Sequence, residues 1–223
     1  MAFGYHPPSL ITTNGVVLDN PGKASYDSPF SFHIIVLLRT ISKILKRVIT
    51  VRLSAIARSK GLLHPNHCGS LPGLSSSEAC LTLIHEVRTL QRPRLKVSPL
   101  FLDLKAGFAN VNASALRARL LASRIPTYMV NWVSSFLSER SCTLVFQGSP
   151  NLPSPVSVGT PQGSPICPLL FLLYVAPLHT SIPRGLMVSY VDDFSITVAS
   201  TSHRGNIRHL QTSSPPSIRG AGT

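Results

Sequence analysis

Only five aspartates occur in this chain, Asp19, Asp27, Asp103, Asp192 and Asp193, and three of them stand where carboxylates could work together. The run Ser189-Tyr190-Val191-Asp192-Asp193-Phe194 sets two adjacent acids inside an apolar, β-prone stretch. Two-residue hairpin turns favour Asn-Gly or Asp-Gly, because both central positions need positive φ. An Asp-Asp pair at a hairpin tip supplies no glycine and puts like charges side by side, a repulsion that a cation would offset. An ordinary polar turn is the plainer reading, since Asp is common in turns. Asp103 closes the apolar run Leu100-Phe101-Leu102 and belongs at a strand end. Beside the pair, it would complete a carboxylate set able to bind two magnesium ions about 3.5–4 Å apart, which aligns attacking and leaving oxygens in phosphoryl transfer. Spacing permits that meeting without requiring it.

The rest of the composition narrows the chemistry. Lys and Arg number 21 against 8 Asp and Glu, a formal charge of +13. Such a surplus favours a polyanionic partner, because each neutralised phosphate releases condensed counterions. A solvated basic surface, or a fragment without its acidic portion, is the alternative. A hydrophobic share of 43% excludes wholesale disorder. The four cysteines form no close pair of the zinc-binding kind, and the cluster His64, His67, Cys68 lacks a fourth ligand at a usual spacing, so it reads as a loop without metal. No basic segment followed by an apolar run opens the chain, which implies no secretory signal and an intracellular protein with reduced thiols, nucleus and cytoplasm undistinguished. The most apolar stretch, Ile166–Leu178, is too short to span a bilayer and contains Pro168 and Pro177, so it reads as core and no membrane partner is expected.

These residues need elements to position them. Residues 1–28, rich in Pro, Gly, Asn and Ser, read as an irregular lead-in. Phe30–Leu38 reads as a strand. Over Thr40–Lys60 the apolar residues Ile41, Ile44, Leu45, Val48, Ile49 and Ile56 recur at three and four, with Lys43, Lys46 and Arg47 elsewhere on the wheel, which predicts an amphipathic helix ended by Gly61. After a loop from His64 to Leu74, Ser75 with Glu78 predicts a capping box opening a second helix that stops by Pro93. A short strand Leu100–Leu104 follows. Helices are expected at Ala113–Ser123 and Pro126–Ser138, the latter packing Trp132 and Phe136 into a core. Thr143–Gln147 reads as a strand, followed by a Pro-rich loop, the Gly159–Pro165 turn and an apolar helix to about Leu178. Val188–Val198 reads as a hairpin broken at Asp192-Asp193. Beyond Gln211 nothing is periodic, and disorder is expected. The mixture predicts an α+β fold with one antiparallel hairpin at its centre.

Three segments together resemble the reverse transcriptases. Tyr190-Val191-Asp192-Asp193 resembles their signature hairpin, and Phe101-Leu102-Asp103-Leu104-Lys105-Ala106-Gly107-Phe108 the strand with their first catalytic aspartate. Gly159-Thr160-Pro161-Gln162-Gly163-Ser164-Pro165, followed by Leu169-Leu170-Phe171, resembles the loop and helix between the two, and the order is the family's. Ile41-Ser42-Lys43-Ile44-Leu45 through Val51-Arg52-Leu53, Gly61-Leu62-Leu63-His64-Pro65 and Asn206-Ile207-Arg208-His209-Leu210-Gln211 are similar to non-LTR elements of the LINE kind; group II intron maturases and telomerase are less similar in this part. The resemblance covers roughly residues 22–211.

The resemblance implies the fingers and palm of a right-hand polymerase, with a mainly helical fingers-like part at 29–97, a palm-like part at 98–211, a disordered tail at 212–223 and no thumb. It implies RNA-templated DNA polymerisation by two-metal nucleotidyl transfer, with RNA template, DNA primer and deoxynucleoside triphosphates as partners. Asp103, Asp192 and Asp193 would hold the catalytic Mg2+ ions, with Mn2+ as a substitute. Phe108 would be the steric gate under the sugar, although by itself it reads as a core aromatic beside a strand end. Gln162 and Gly163 would border the incoming nucleotide and template.

Departures from the family pattern accompany the match. His33-Ile34-Ile35 stands where Arg-Pro-Ile is usual, and histidine lacks the bidentate fork with which Arg grips a triphosphate. Gly107-Phe108-Ala109 replaces Ala-Phe-Asp, and His67 and Cys68 replace Gln and an aromatic. With the expected truncation, these changes imply a weak or inactive polymerase copy. The competing readings are a non-catalytic basic remnant that binds nucleic acid and a chain that does not fold stably.

Overall fold

The computed structural model describes residues 4–22, 25–28, 31–69, 74–91, 94–104, 106–180 and 186–213. Along the chain come strands β1 (Thr13–Asp19) and β2 (Phe32–Leu37), helix α1 (Thr40–Ser59), strand β3 (His67–Cys68), helix α2 (Ser76–Leu90) and strand β4 (Lys96–Asp103). Helices α3 (Ala113–Ala122) and α4 (Thr127–Leu137) follow, then strands β5 (Arg140–Phe146), β6 (Ser149–Pro150) and β7 (Ser154–Val156), and helix α5 (Cys167–Val175). Strands β8 (Leu186–Tyr190) and β9 (Asp193–Ser200) and helix α6 (His203–Ser213) complete the described part. Two compact units, interleaved in sequence, divide the chain: Met1–Ser59 with Ala106–Phe171, and Lys60–Lys105 with Leu172–Thr223.

The first unit is built on a sheet ordered β2-β1-β5-β6, with β7 also on β5. Strand β1 runs antiparallel to β2, from Asn14↔Leu37 to Asp19↔Phe32, and parallel to β5. It lies inside the segment expected to be irregular. Its Val16-Val17-Leu18 is β-prone but follows Asn14-Gly15, a turn signal, and pairing on both sides decides the matter in favour of a strand. Helices α3 and α4 pack against each other. Asn112 caps α3 by accepting from the Ala115 N–H at 2.9 Å. Helix α4 buries Met129, Val130, Trp132, Val133, Phe136 and Leu137, and Trp132 stacks on Phe136 with ring centroids 5.5 Å apart.

Helix α1 forms as the periodicity predicts but buries a different face. The buried residues are Ser42, Lys46, Ile49, Thr50, Leu53 and Ala57, whereas Ile41, Ile44, Val48 and Val51 are exposed. Lys46 is only 1% exposed, with Nζ 4.8 Å from the centroid of the Phe136 ring. A cation over an aromatic face is attracted by the ring quadrupole. Burial nevertheless lowers the Lys46 pKa to about 8, and it pushes the neighbouring Cys167 thiol up to about 11.

The second unit carries a sheet ordered β3-β8-β9-β4, with β3 parallel to β8 and the other pairs antiparallel. Helix α2 packs on β3 and β8, and α6 on β9 and β4. The capping box forms: Ser75 N–H donates to Glu78 Oε2, and Glu78 N–H donates to Ser75 Oγ at 3.4 Å. Strand β4 begins four residues earlier than expected and contains Pro99, which is tolerated because β4 is the sheet edge. Helix α6 carries Asn206, fully buried, whose Nδ2 donates to Lys96 O at 2.7 Å and to Ser98 Oγ at 2.9 Å. It continues to Ser213, taking in the first two residues of the tail expected to be disordered. Phe30 at the start of the expected first strand, the Pro93 stop and positions 214–223 of the expected tail lie outside the described residues.

Candidate active site

Strand alternation puts Asp103 on an open face. Along β4, Pro99, Phe101 and Asp103 are exposed while Leu100 and Leu102 are half-buried, as a period of two requires. Asp103 is the last residue of β4 and Asp193 the first of β9, and the two are direct cross-strand partners, a placement that brings Cβ atoms to about 5 Å. Tyr190 pairs with Asp193, so the two-residue turn is Val191-Asp192. The sequence pattern had set the break one residue later; the ladder from β9 to β4 claims Asp193 for the strand. The Leu104 N–H donates to Asp192 O at 3.3 Å, tying the turn to the residue after Asp103. Asp103, Asp192 and Asp193 therefore stand at one corner of one sheet.

Crowding leaves an electrostatic mark. The Asp192 carboxyl is held above the usual carboxylate range, first by burial and further by the negative charges of Asp193 and Asp103, with its own backbone amide pulling partly back. Such a cluster suits a hard divalent cation. Among the described residues no group of three or more His, Cys, Asp or Glu side chains is placed to hold a metal ion by itself. Magnesium needs no such group, since it is commonly held by one or two carboxylates together with waters and substrate phosphates. An all-carboxylate donor set fits Mg2+ or Mn2+ and disfavours ions that select thiolate or imidazole.

The same unit holds a cluster of imidazole and aromatic rings, two of which, His64 and His67, come from the segment whose sequence predicts a loop. His64 stacks on His179 with centroids 4.9 Å apart, His67 lies 4.7 Å from His179, and both His67 and His179 lie 6.1 Å from Phe194. His179 Nε2 and Ser189 Oγ are 2.9 Å apart. Burial above all lowers the pKa of His67 to about 4 and of His179 to about 3, so both imidazoles are neutral at pH 7. His67 and Cys68 form β3, and a strand of two residues has no periodicity by which sequence could reveal it.

The other three expected site residues belong to the first unit. Phe108 lies in a 3₁₀ turn, half-buried and stacked on Phe171 at 4.7 Å. Its carbonyl accepts from Thr160 N at 2.8 Å and Thr160 Oγ1 at 3.2 Å. Gly159, at φ +79°, lies so close that a Cβ would sit 2.5 Å from Ala109 O. Gln162 O accepts from Val36 N–H at 3.0 Å, and both Gln162 and Gly163 are exposed. Of the departures, His33 is half-buried on β2, paired with Leu18, and Ala109 is exposed beside Phe108.

An edge strand ending in Asp103 is thus paired with a hairpin that carries Asp192 in its turn and Asp193 at the start of its second strand. The sequence profile of the family "Reverse transcriptase (RNA-dependent DNA polymerase)" matches residues 22–214, and the chain belongs to that family. Its relatives are polymerases of non-LTR transposons. It is 26% identical over 188 residues to a probable RNA-directed DNA polymerase from transposon X-element of Drosophila melanogaster, covering 82% of this chain and 20% of that protein. It is 27% identical to the corresponding protein from transposon BS of the same organism, covering 88% and 22%. The RNA-directed DNA polymerase from its mobile element jockey is 24% identical, covering 89% and 22%. The chain thus spans about a fifth of the length of these relatives. Among solved structures it resembles the telomerase of Candida Tropicalis. The apo form truncated from the C-terminal domain has a TM-score of 0.61 at 14% identity, over 93% of this chain and 47% of that one. The telomerase in complex with the TWJ fragment of telomeric RNA has a TM-score of 0.63 at 12% identity, over 89% and 38%. The likeness shows a shared fold, mixed α and β.

Proposed function

We propose that this chain is the fingers and palm of an RNA-templated DNA polymerase, with Asp103, Asp192 and Asp193 as its catalytic carboxylates. The observation that carries the reading is the sheet register: Asp103 opposite Asp193, with the Asp192 carbonyl tied to Leu104. In a member of this family, three acids from distant segments at one exposed corner are best explained by divalent cations. Asp103 and Asp192 would hold two Mg2+ ions, with Mn2+ as a substitute, and Asp193 adds negative charge beside them. The bound ions supply Lewis-acid stabilisation of the charge on the attacking, bridging and leaving oxygens.

The substrates on this reading are an RNA template, a DNA primer and a deoxynucleoside triphosphate. The primer 3′-oxygen attacks the α-phosphate and pyrophosphate leaves. The protein contributes alignment more than covalent chemistry. The family resemblance would make Phe108, stacked on Phe171, the steric gate under the sugar, and would have Gln162 and Gly163 border the incoming nucleotide and the template. Mg2+-dependent extension of a DNA primer on an RNA template tests the reading: Asp192→Ala should lose roughly 10²-fold or more of the rate. Wild type no faster than Asp192→Ala would remove the enzymatic reading.

His33 favours a second reading, in which the chain grips nucleic acid and catalyses weakly or not at all. An imidazole without the bidentate fork of Arg stands where the family resemblance expects Arg at the triphosphate, while the charge of +13 remains suited to phosphates. On this reading affinity falls steeply with salt, and Asp192→Ala binds as tightly as wild type or slightly tighter. Affinity indifferent to ionic strength would count against it.

A further inference from the structure

The turn that carries Asp192 is held in a conformation its own sequence does not favour. Val191 has φ +56°, a left-handed backbone that a β-branched residue adopts only when its surroundings impose it. Glycine, asparagine or aspartate would occupy that place without strain. The constraint comes from β3. Laid parallel to β8, that strand lets Asn66 O accept from Ser189 N–H at 2.9 Å and Cys68 O accept from Val191 N–H at 3.1 Å. On the other side, Leu104 N–H reaches Asp192 O at 3.3 Å. Both residues of the turn are therefore gripped, one from each flank.

Gly69 makes the first grip possible. It stands at φ +85°, and a Cβ there would lie 2.6 Å from Val191 Cγ2 and 3.2 Å from the Tyr190 ring. The volume that any side chain at position 69 would fill is occupied by Val191. A larger residue would drive the two segments apart and break the Cys68–Val191 hydrogen bond. We propose that Gly69 is a positioning residue of the carboxylate site, seating β3 against the turn so that Val191 stays left-handed and Asp192 is presented beside Asp103. The inference rests on the reading of those carboxylates as cation ligands. Gly69 itself touches no reacting atom.

The experiment uses the full chain with Mn2+ as probe, titrated by electron paramagnetic resonance alongside thermal melting. Wild type, Asp192→Ala, Gly69→Ala, Val191→Ala and the double variant Gly69→Ala/Val191→Ala are compared. Gly69→Ala should melt cooperatively and bind Mn2+ about tenfold or more weakly, the size of effect seen when a ligand's supporting shell is disturbed. Removing Cγ2 in the double variant should recover most of that loss. A folded Gly69→Ala that binds Mn2+ as wild type does, while Asp192→Ala has lost the site, overturns the proposal and leaves the carboxylate reading standing. A double variant no better than Gly69→Ala also overturns it. If Gly69→Ala does not melt cooperatively, Val191→Ala is compared with the double variant: matching Mn2+ constants support the clash as the cause, and a weaker double variant overturns it. Wild type binding no better than Asp192→Ala sinks the carboxylate reading and this inference with it.

Discussion

Lys46 shows how a single residue can run against its apparent role. By wheel position it belongs with Lys43 and Arg47 on a solvated face, yet it is buried with its ammonium against Phe136, and among the described residues no carboxylate lies within ion-pair distance of it. A buried cation without a counter-ion is a liability that a hydrophobic residue of similar length removes. Lys46→Met should therefore raise stability, on the order of 1 kcal/mol after loss of the cation–π contact. Chemical denaturation midpoints of the two proteins check this, and a destabilised variant would mean that the ammonium is a net contributor. The carboxylates tell the opposite story. Asp103, Asp192 and Asp193 could be picked out from sequence because acids are scarce in the chain and each borders an apolar β-prone run. What sequence could not supply was the cross-strand pairing of Asp103 with Asp193, since nearly ninety positions separate them and register is settled only by tertiary contact.

Helix α1 gives the same lesson at the scale of an element. Its existence and length were legible from periodicity, but its buried face was not, because the buried arc mixes Ser42, Lys46 and Thr50 with Ile49, Leu53 and Ala57 and is chosen by tertiary packing rather than by the apolar repeat. The structure buries Leu53 completely and leaves Ile44 61% exposed. Leu53→Ala should cost about 2–5 kcal/mol, whereas Ile44→Ala should stay within about 0.5 kcal/mol. Equal losses, read from urea midpoints, would restore the face that the periodicity suggested. Strands fared worse where turn signals interrupt them. Asn14-Gly15 hid β1, Pro99 shortened β4, and β3 was too brief to be periodic. Each is a strand by virtue of its neighbours. The turn of the hairpin, by contrast, was legible to within one residue because apolar runs flank it on both sides.

Across the whole molecule, buried imidazoles set the response to acid. His6, wedged edge-on against Trp132 at 5.1 Å and Phe136 at 5.4 Å, has its pKa lowered to about 4 by burial, while His67 stands at about 4 and His179 at about 3. These folded values lie below the 6.5 of the unfolded chain, so between pH 6.5 and 4 the unfolded state takes up protons that the folded state refuses. Stability should fall over that window as pH falls, by up to about 1.4 kcal/mol per pH unit for each histidine. Melting temperatures at pH 7, 5.5 and 4.5 check it, and a flat profile would contradict the neutral buried imidazoles. The central claim, that β4 and the β8–β9 turn present one divalent-cation site, has a direct test in Fe2+ replacing Mg2+ to generate hydroxyl radicals, with backbone cuts mapped by mass spectrometry. The account predicts cuts around both Leu102–Leu104 and Val191–Asp193, lost together in Asp192→Ala. Cleavage at only one of those segments, or a pattern unchanged by that substitution, would contradict it.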